Sequence, residues 1–168
     1  MILPIYEYFK RFAKDGDPTI EMPERPANYL FAQSYEELKD RLDRLVGTFL
    51  FVDFGEITFA QAQARNLDTT MRIAVTVAEK LSPSTLMEAR LESWQMTLDT
   101  LAAIFAQIRK DVENADDYKG VFPWADMPSV MTSEMVPFVA TELNAYGWTL
   151  MIDCTSPDPL KIRDRYSE

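Results

Sequence analysis

MRIAVTV, at residues 71–77, is the segment that decides the fold, because its apolar residues alternate one by one with the others. Successive side chains of a strand point to opposite faces of a sheet, so this alternation predicts a strand with one face on an apolar core. The side chains expected in that core are Ile73, Val75 and Val77. A strand of this kind needs an apolar partner layer, which the neighbouring segments must supply.

The preceding segment is VGTFLFVDFGEITFAQA, at residues 46–62, and it is rich in the Phe, Val, Ile and Thr that favour strands. Gly55-Glu56 interrupts it and suits either a turn or a bulge. We expect a turn, with one strand ending at Phe54 and a second strand beginning at Ile57. With the alternating segment this makes three strands joined by short links, which is typical of an antiparallel meander.

A long amphipathic helix is predicted after these strands. Ser82-Pro83 suits its start, because Ser is a good N-cap and Pro fits the first helical position. A heptad stripe predicts a helix roughly 45 Å long that ends near Asn114. The stripe consists of Met87, Leu91, Trp94, Leu98, Leu101, Phe105, Ile108 and Val112. The helix could lie on the sheet or form a contact between subunits; the bulk of Trp94 and Phe105 favours the sheet.

Shorter elements are predicted ahead of these strands. The apolar spacing of residues 1–14 is helical, and Ser34 with Glu37 forms a capping box for a helix at about 34–45. Between them, the Pro-rich stretch 15–28 is expected to be a loop or arm, either an ordered wrap or a flexible tether.

The region after the long helix is less regular. Residues 118–135 carry Gly, Pro and many apolar side chains, and a short helix is expected after Pro137. Tyr146-Gly147 suits a turn, and the alternation at 148–154 predicts a final strand.

These elements together predict one α+β domain at residues 1–155, followed by a charged, flexible tail at residues 156–168. The expected sheet is mainly antiparallel, has about four strands and carries its helices on one face. The expected order of elements is α-β-β-β-α-β.

Composition narrows the possible functions. The 168 residues include 27 acidic and 17 basic ones, for a net charge of −10. This charge repels a phosphate backbone and disfavours direct binding of nucleic acid. Neither a secretory signal nor a membrane-spanning segment is expected, and a single cysteine fits a reducing cytoplasm.

Histidine is absent from the sequence, and Cys154 is the one cysteine. Nucleophilic sites of the Ser-His-Asp and Cys-His kinds are therefore excluded, as are zinc sites built on His or on several thiolates within one chain. No Gly-rich phosphate loop occurs. We expect no catalytic residues, no cofactor and no metal, and hence a protein that is not an enzyme.

Carboxylates are the best remaining candidates for chemistry. Asp53 and Glu56 flank Gly55 and could bind a divalent cation or act as acid and base, but a solvated strand end explains them better. An acidic cluster at Asp111, Glu113, Asp116 and Asp117 does not have calcium-loop spacing, and we expect it to be solvated or to face a partner.

Two further polar groups are candidate binding residues. Arg65, Asn66, Asp68 and Arg72 could form a polar binding loop, although an ordinary hairpin connection accounts for them equally well. Lys80 follows a strand, but no adjacent group marks it as an activated amine.

Several apolar residues have no evident place in the core and are candidates for an interface between subunits. They are Phe9, Phe12, Phe122, Trp124, Met127, Val130 and Met131. If exposed, they would form a larger apolar patch than soluble monomers usually carry. The alternative is that they fold back and complete the core of their own domain.

The strand pattern of residues 49–56 (FLFVDFGE) and 71–77, the long helix, and the closing segment 146–152 (YGWTLMI) are similar to the tail-terminator, or tail-completion, proteins of long-tailed bacteriophages and prophages. The resemblance covers roughly residues 34–154. It implies a non-enzymatic protein that caps a tail tube as a ring, commonly a hexamer. The expected partners are then other copies of itself and other tail or assembly proteins, and its place is the cytoplasm and the virion.

A protein of a different class is also compatible with the sequence. An acidic inhibitor or immunity-type protein would bind a basic partner protein through its charge. A ring in solution favours the tail protein, and a stable monomer favours the inhibitor.

Overall fold

The computed structural model describes residues 2–32, 35–63, 66–114 and 133–157 of the chain. Three α-helices lie in these ranges: α1 (Ile2–Lys10), α2 (Tyr35–Leu42) and α3 (Met87–Glu113). Five strands form one sheet: β1 (Asn28–Ala32), β2 (Gly47–Gln63), β3 (Asn66–Lys80), β4 (Glu134–Ala140) and β5 (Ala145–Pro157). A single turn of 3-10 helix, Thr141–Leu143, joins β4 to β5.

The sheet has the strand order β1-β2-β3-β5-β4, in which β1 runs parallel to β2 and the other pairs are antiparallel. The α+β class is therefore confirmed, whereas the expected order and the count of about four antiparallel strands are partly wrong. The parallel pair is possible because the chain between β1 and β2 includes α2, and parallel neighbours need such a crossover.

β2 is one long strand, so the turn predicted at Gly55-Glu56 is wrong. The register with β3 shifts between Phe54 and Ile57, which inserts one extra residue into β2 as a β-bulge. The bulge lets the ladder continue, because β3 is long enough to pair with both halves of β2.

Tyr146-Gly147 is not a turn either, since both residues lie inside β5. A side chain at Gly147 would collide with the carbonyl oxygen of Val77 and with Ala78 on the neighbouring strand, so the glycine permits a close strand approach. The short helix expected after Pro137 is limited to the 3-10 turn Thr141–Leu143, and Pro137 itself lies in the edge strand β4. Proline is tolerated there because an edge strand has one side without ladder hydrogen bonds.

One face of the sheet, here the α3 face, carries the larger core. Ile73, Val75 and Val77 are at most 1% exposed and pack with residues of α1 and α3, which confirms the predicted core face of this strand. Further members of this core are Ile5, Phe9, Phe12, Leu50, Val52, Leu101, Ile104, Ile108, Leu150 and Ile152.

The opposite face, here the α2 face, carries a smaller core. Phe49 and Phe51 point to this side and pack with Leu38 and Leu42 of α2. The expectation that all helices lie on one face is therefore wrong. The short helix reaches the second face because it connects β1 to β2 at the edge of the sheet.

The heptad stripe of α3 is buried in its second half only. Leu101, Ile108 and Val112 are in the core, whereas Met87 and Leu91 are 69% and 54% exposed. In the first half the buried positions are Ser93, Thr97 and Thr100. A strict seven-residue repeat drifts by about 20° per heptad around a straight helix, so the stripe gradually leaves the contact face.

The Pro-rich stretch 15–28 is an ordered wrap. The guanidinium group of Arg25 donates hydrogen bonds to the backbone carbonyls of Arg11, Ala13, Asp17 and Ile20. One partly buried cation thus holds four carbonyl groups of a segment that has little regular secondary structure. Among the helices in the described ranges, none is long and apolar enough to cross a bilayer.

Candidate functional site

An open groove lies on the α2 face, beyond the end that α2 covers. Its volume is about 410 Å³. Its lining consists of Asp53, Gly55, Thr70, Arg72, Ala74, Met151 and Asp153. This set of residues is called the groove below.

The groove exists because the residues that floor it are small. On the covered part of the face, Phe49 and Phe51 fill the space between β2 and α2. Further along, Asp53 lies opposite Ala74 on β3, and Ala74 lies opposite Met151 on β5. Since α2 has only eight residues, it does not extend over these positions.

Arg72 and Asp153 form one wall of the groove. They lie opposite each other in the β3–β5 ladder, and the Arg72 Nε and Nη2 atoms are 2.8 and 3.2 Å from the two carboxylate oxygens of Asp153. This paired geometry is the favoured way for a guanidinium group to bind a carboxylate. The hydrogen bonds from Arg72 hold the pKa of Asp153 below its ordinary value.

Asp53 lies in a different environment from Asp153, which is paired with Arg72. Its Oδ1 atom is buried, and among the described residues it has no hydrogen-bond partner. Burial raises the pKa of Asp53 above its ordinary value, because the charged form loses hydration. A buried acceptor without a partner is unfavourable, and because the Asp53 side chain as a whole is partly exposed, this carboxylate is a small local cost to folding.

The two carboxylates of the groove therefore differ in chemistry. Asp153 is neutralised by a fixed cation, and Asp53 is an acceptor that no described donor reaches. Such a group can bind a cation or accept a proton. Within the described ranges, no group of three or more His, Cys, Asp or Glu side chains is arranged to hold a metal ion.

Other sequence candidates are only partly assigned. The side chain of Glu56 lies outside the described residues, so the Asp53/Glu56 pair stays a prediction. The side chains of Arg65, Asn66 and Asp68 also lie outside the described residues. Asn66, Asp68 and Arg72 lie in strand β3, so the loop expected at these positions is wrong. Of the three, Arg72 alone has a described side chain, and it lies in the groove.

Asp111 is buried rather than solvated, which corrects the expectation for this residue. It is 1% exposed and accepts hydrogen bonds from Tyr8 Oη at 2.9 Å, Arg11 Nη1 at 3.3 Å and Gln107 Nε2 at 2.6 Å. These bonds join α3 to the N-terminal helix, so the role of Asp111 is structural. Glu113 is exposed, and Asp116 and Asp117 lie outside the described residues.

Lys80 also has a structural role. Its Nζ atom donates to the carbonyl oxygens of Leu42 at 2.8 Å and Asp43 at 3.2 Å. A cation at this position satisfies carbonyl groups at the C-terminal end of α2 and interacts favourably with the helix dipole. This contact explains why a lysine ends β3.

Two of the predicted interface residues are in the core. Phe9 and Phe12 are 1% and 0% exposed and pack against the α3 face of the sheet, so the prediction that they form an interface is wrong. Phe9 lies on α1 and Phe12 in the turn that follows it, and both rings belong to the core on this face. The other five, Phe122, Trp124, Met127, Val130 and Met131, lie outside the described residues.

A different apolar surface was missed by sequence reasoning. Leu86, Met87 and Leu91 are 75%, 69% and 54% exposed, and Val139 of β4 is 51% exposed. These four residues are called the apolar patch below. The heptad pattern did include Met87 and Leu91, but it assigned them to the core.

The segments that carry the tail-terminator resemblance correspond to β2, β3, α3 and β5. They form the centre of the sheet and the helix that covers it. This arrangement of strands and helices is a property of fold and does not by itself assign a function. No protein-family model matches the sequence, and no curated protein matches it either.

Proposed function

We propose that this chain is a non-enzymatic structural protein that associates with copies of itself, as a tail-terminator-like ring protein of a phage or prophage would. The observation that carries the proposal is the apolar patch at the start of α3. Large apolar side chains that are more than half exposed and lie together are typical of surfaces that another protein covers.

Two partly buried aromatic residues, Trp94 and Tyr146, lie between the α3 part of the patch and Val139. Met87 and Leu91 are spaced four residues apart on α3, and Trp94 follows on the same side of the helix. The Trp94 ring contacts the ring of Tyr146, with centroids 6.3 Å apart. Tyr146 lies opposite Val139 in the β4–β5 ladder, so Val139 is on the same face of the sheet as Tyr146.

Covering this patch would be favourable. Fully burying one Leu or Met side chain contributes about 1.5–3 kcal/mol, and the patch holds three such residues and a valine. The buried polar row of Ser93, Thr97 and Thr100 explains why these apolar residues are left outside. Residues with hydroxyl groups occupy the buried positions in the first half of α3, and Met87 and Leu91 occupy exposed positions.

Charge works against association at low salt. Each subunit carries a net charge of −10, so two subunits repel each other. At physiological ionic strength the Debye length is about 8 Å, and salt screens the repulsion between exposed charges that lie farther apart than this. Association through the patch should therefore become stronger as salt rises, whereas a contact driven by opposite charges would become weaker.

The test is sedimentation velocity over a range of protein concentration at low and high salt. The wild type should form a defined oligomer, more strongly at high salt, and Leu91→Gln should shift the distribution toward monomer. The matched control is Leu3→Gln, which changes a leucine that is 68% exposed on α1. A wild type that stays monomeric in both salts, or equal effects of the two substitutions, would contradict the proposal.

The alternative is an acidic inhibitor or immunity-type protein that binds a basic partner. The observation that favours it is the groove, in which one Asp53 oxygen accepts no hydrogen bond from the part of the chain that the structure describes. A stable monomer at all concentrations, together with tight and salt-sensitive binding of a basic protein, would place this alternative first.

A further inference from the structure

The groove is lined by a partly exposed carboxylate, Asp53. The Oδ1 atom of Asp53 is buried against the sheet and receives no hydrogen bond from the described residues. A second carboxylate, Asp153, lies on the far wall but is already held by Arg72 at 2.8 and 3.2 Å. Of the two carboxylates that line the groove, Asp53 is therefore the one that is not paired with Arg72.

The charges of the lining favour a positive ligand. Asp53 and Asp153 contribute two negative charges and Arg72 one positive charge. Arg72 and Asp153 neutralise each other at contact distance, and the molecule as a whole is strongly acidic. A ligand with an anionic group would meet Asp53 without a compensating cation, since the guanidinium group is already engaged.

The shape of the groove favours a thin aliphatic group. Ala74 and Gly55 have little or no side chain, and Met151 adds a flexible apolar wall. A volume of about 410 Å³ accommodates an amino-acid side chain with its flanking backbone. Lysine fits this combination, because its four-carbon stem can contact apolar walls and its ammonium group is a compact donor.

We propose that the groove is a binding site for a lysine side chain presented by a partner protein, with the ammonium group lying beside the Asp53 carboxylate and the stem lying on Ala74 and Met151. This site is on the α2 face of the sheet, whereas the apolar patch lies on the α3 side. The inference therefore does not depend on self-association, and either can fail without the other.

The experiment follows the methyl resonance of Met151 in full-length protein labelled with ¹³C at the methionine methyl groups. The probes are two blocked tripeptides, Gly-Lys-Gly and Gly-Gln-Gly. The lysine peptide should shift the Met151 resonance in a saturable way, and the glutamine peptide should not. Met71, which is 1% exposed in the core, reports whether the fold is intact.

Two substitutions test the assignment to Asp53. Asp53→Asn keeps the shape and removes the charge, and we expect it to weaken binding of the lysine peptide by roughly tenfold or more. The matched control is Asp40→Asn, which removes one exposed charge from α2 and should leave the affinity unchanged. If these variants behave alike, the site is not built on Asp53.

A third substitution tests the walls. Ala74→Val narrows the groove without changing its charge, and it should also reduce binding. The proposal is overturned if Met151 does not shift with the lysine peptide, if both peptides shift it equally, or if Asp53→Asn binds as tightly as Asp40→Asn. Sedimentation of Asp53→Asn keeps the two proposals separate, because its self-association should match that of the wild type.

Discussion

The two faces of the sheet are used in different ways. On the α3 face, side chains from three of the central strands are buried almost completely by α1, α3 and the chain between α1 and β1. On the α2 face, one eight-residue helix covers the end near Phe49 and Ala78, and the remainder forms the open groove. The buried hydroxyl of Thr76 pairs with Thr149 at 2.7 Å, between the covered end and the groove.

Residues on the α3 face therefore stabilise the fold, whereas residues that line the groove are available for binding. A substitution on the α3 face removes packing that nothing else replaces. A substitution in the groove changes a surface that contributes little to folding, and at Asp53 it can even relieve a cost. Changes at paired positions on the two faces therefore test the comparison directly.

The largest effect is expected for Val75→Asp. Val75 is fully buried, so the substitution places an unpaired charge in the core and should destabilise the protein by about 3–5 kcal/mol or prevent folding. Ala74→Ser, one residue away on the groove side, should cost less than about 1 kcal/mol. The measurement is chemical denaturation of both variants. Similar costs for the two would mean that the faces do not differ as described.

The next effect concerns the buried network on α3. Asp111→Ala leaves the Tyr8 hydroxyl and the Arg11 guanidinium without their shared acceptor, and should destabilise the protein by about 2–4 kcal/mol. Glu113→Ala is the matched control, because it removes an exposed carboxylate two residues away and should stay within about 0.5 kcal/mol of the wild type. A loss of stability no greater than that of the control would show that the network contributes nothing.

The two groove carboxylates should respond to pH with opposite signs. The lowered pKa of Asp153 contributes stability above its ordinary pKa of 3.8, and this is lost as pH falls through the folded-state pKa. The raised pKa of Asp53 contributes stability at pH values below its ordinary pKa of 3.8. This contribution is lost as the pH rises through the folded-state pKa of Asp53.

At neutral pH, Asp153→Asn should therefore lower stability and Asp53→Asn should keep or raise it, each by less than about 1 kcal/mol because both sites are partly solvated. Thermal unfolding at pH 3 and pH 7 measures both effects, and the difference between the variants should shrink at the lower pH. A loss of stability in Asp53→Asn at pH 7 would mean that the carboxylate of Asp53 makes favourable hydrogen bonds in the wild-type protein in solution.

The local patterns in the sequence predicted the central elements well. The alternation at residues 71–77 is strict enough to identify β3 and its core face, and the apolar spacing of α3 identified the helix. β1 was missed because it has five residues and lies next to a Pro-rich stretch. β4 was missed because Pro137 breaks the usual strand pattern, although an edge position tolerates it.

The candidate site could be predicted only in part. Asp53 was identified from its place at the end of a strand beside Gly55. Its neighbours could not be, because Arg72 and Asp153 are 81 residues apart in sequence and meet through the register of β3 and β5. The side of the sheet that α2 covers also depends on how β1 pairs with β2, and local patterns do not encode that pairing.

The central claim is that the apolar patch, and not the groove, is the surface through which copies of this chain associate. Hydrogen–deuterium exchange at low and high protein concentration in high salt tests it most directly, because exchange reports on each segment separately. The account predicts that amides in the first turns of α3 and in β4 become more protected at high concentration, while those of α2 do not change. Equal exchange of all segments at both concentrations, or new protection confined to α2, would contradict it.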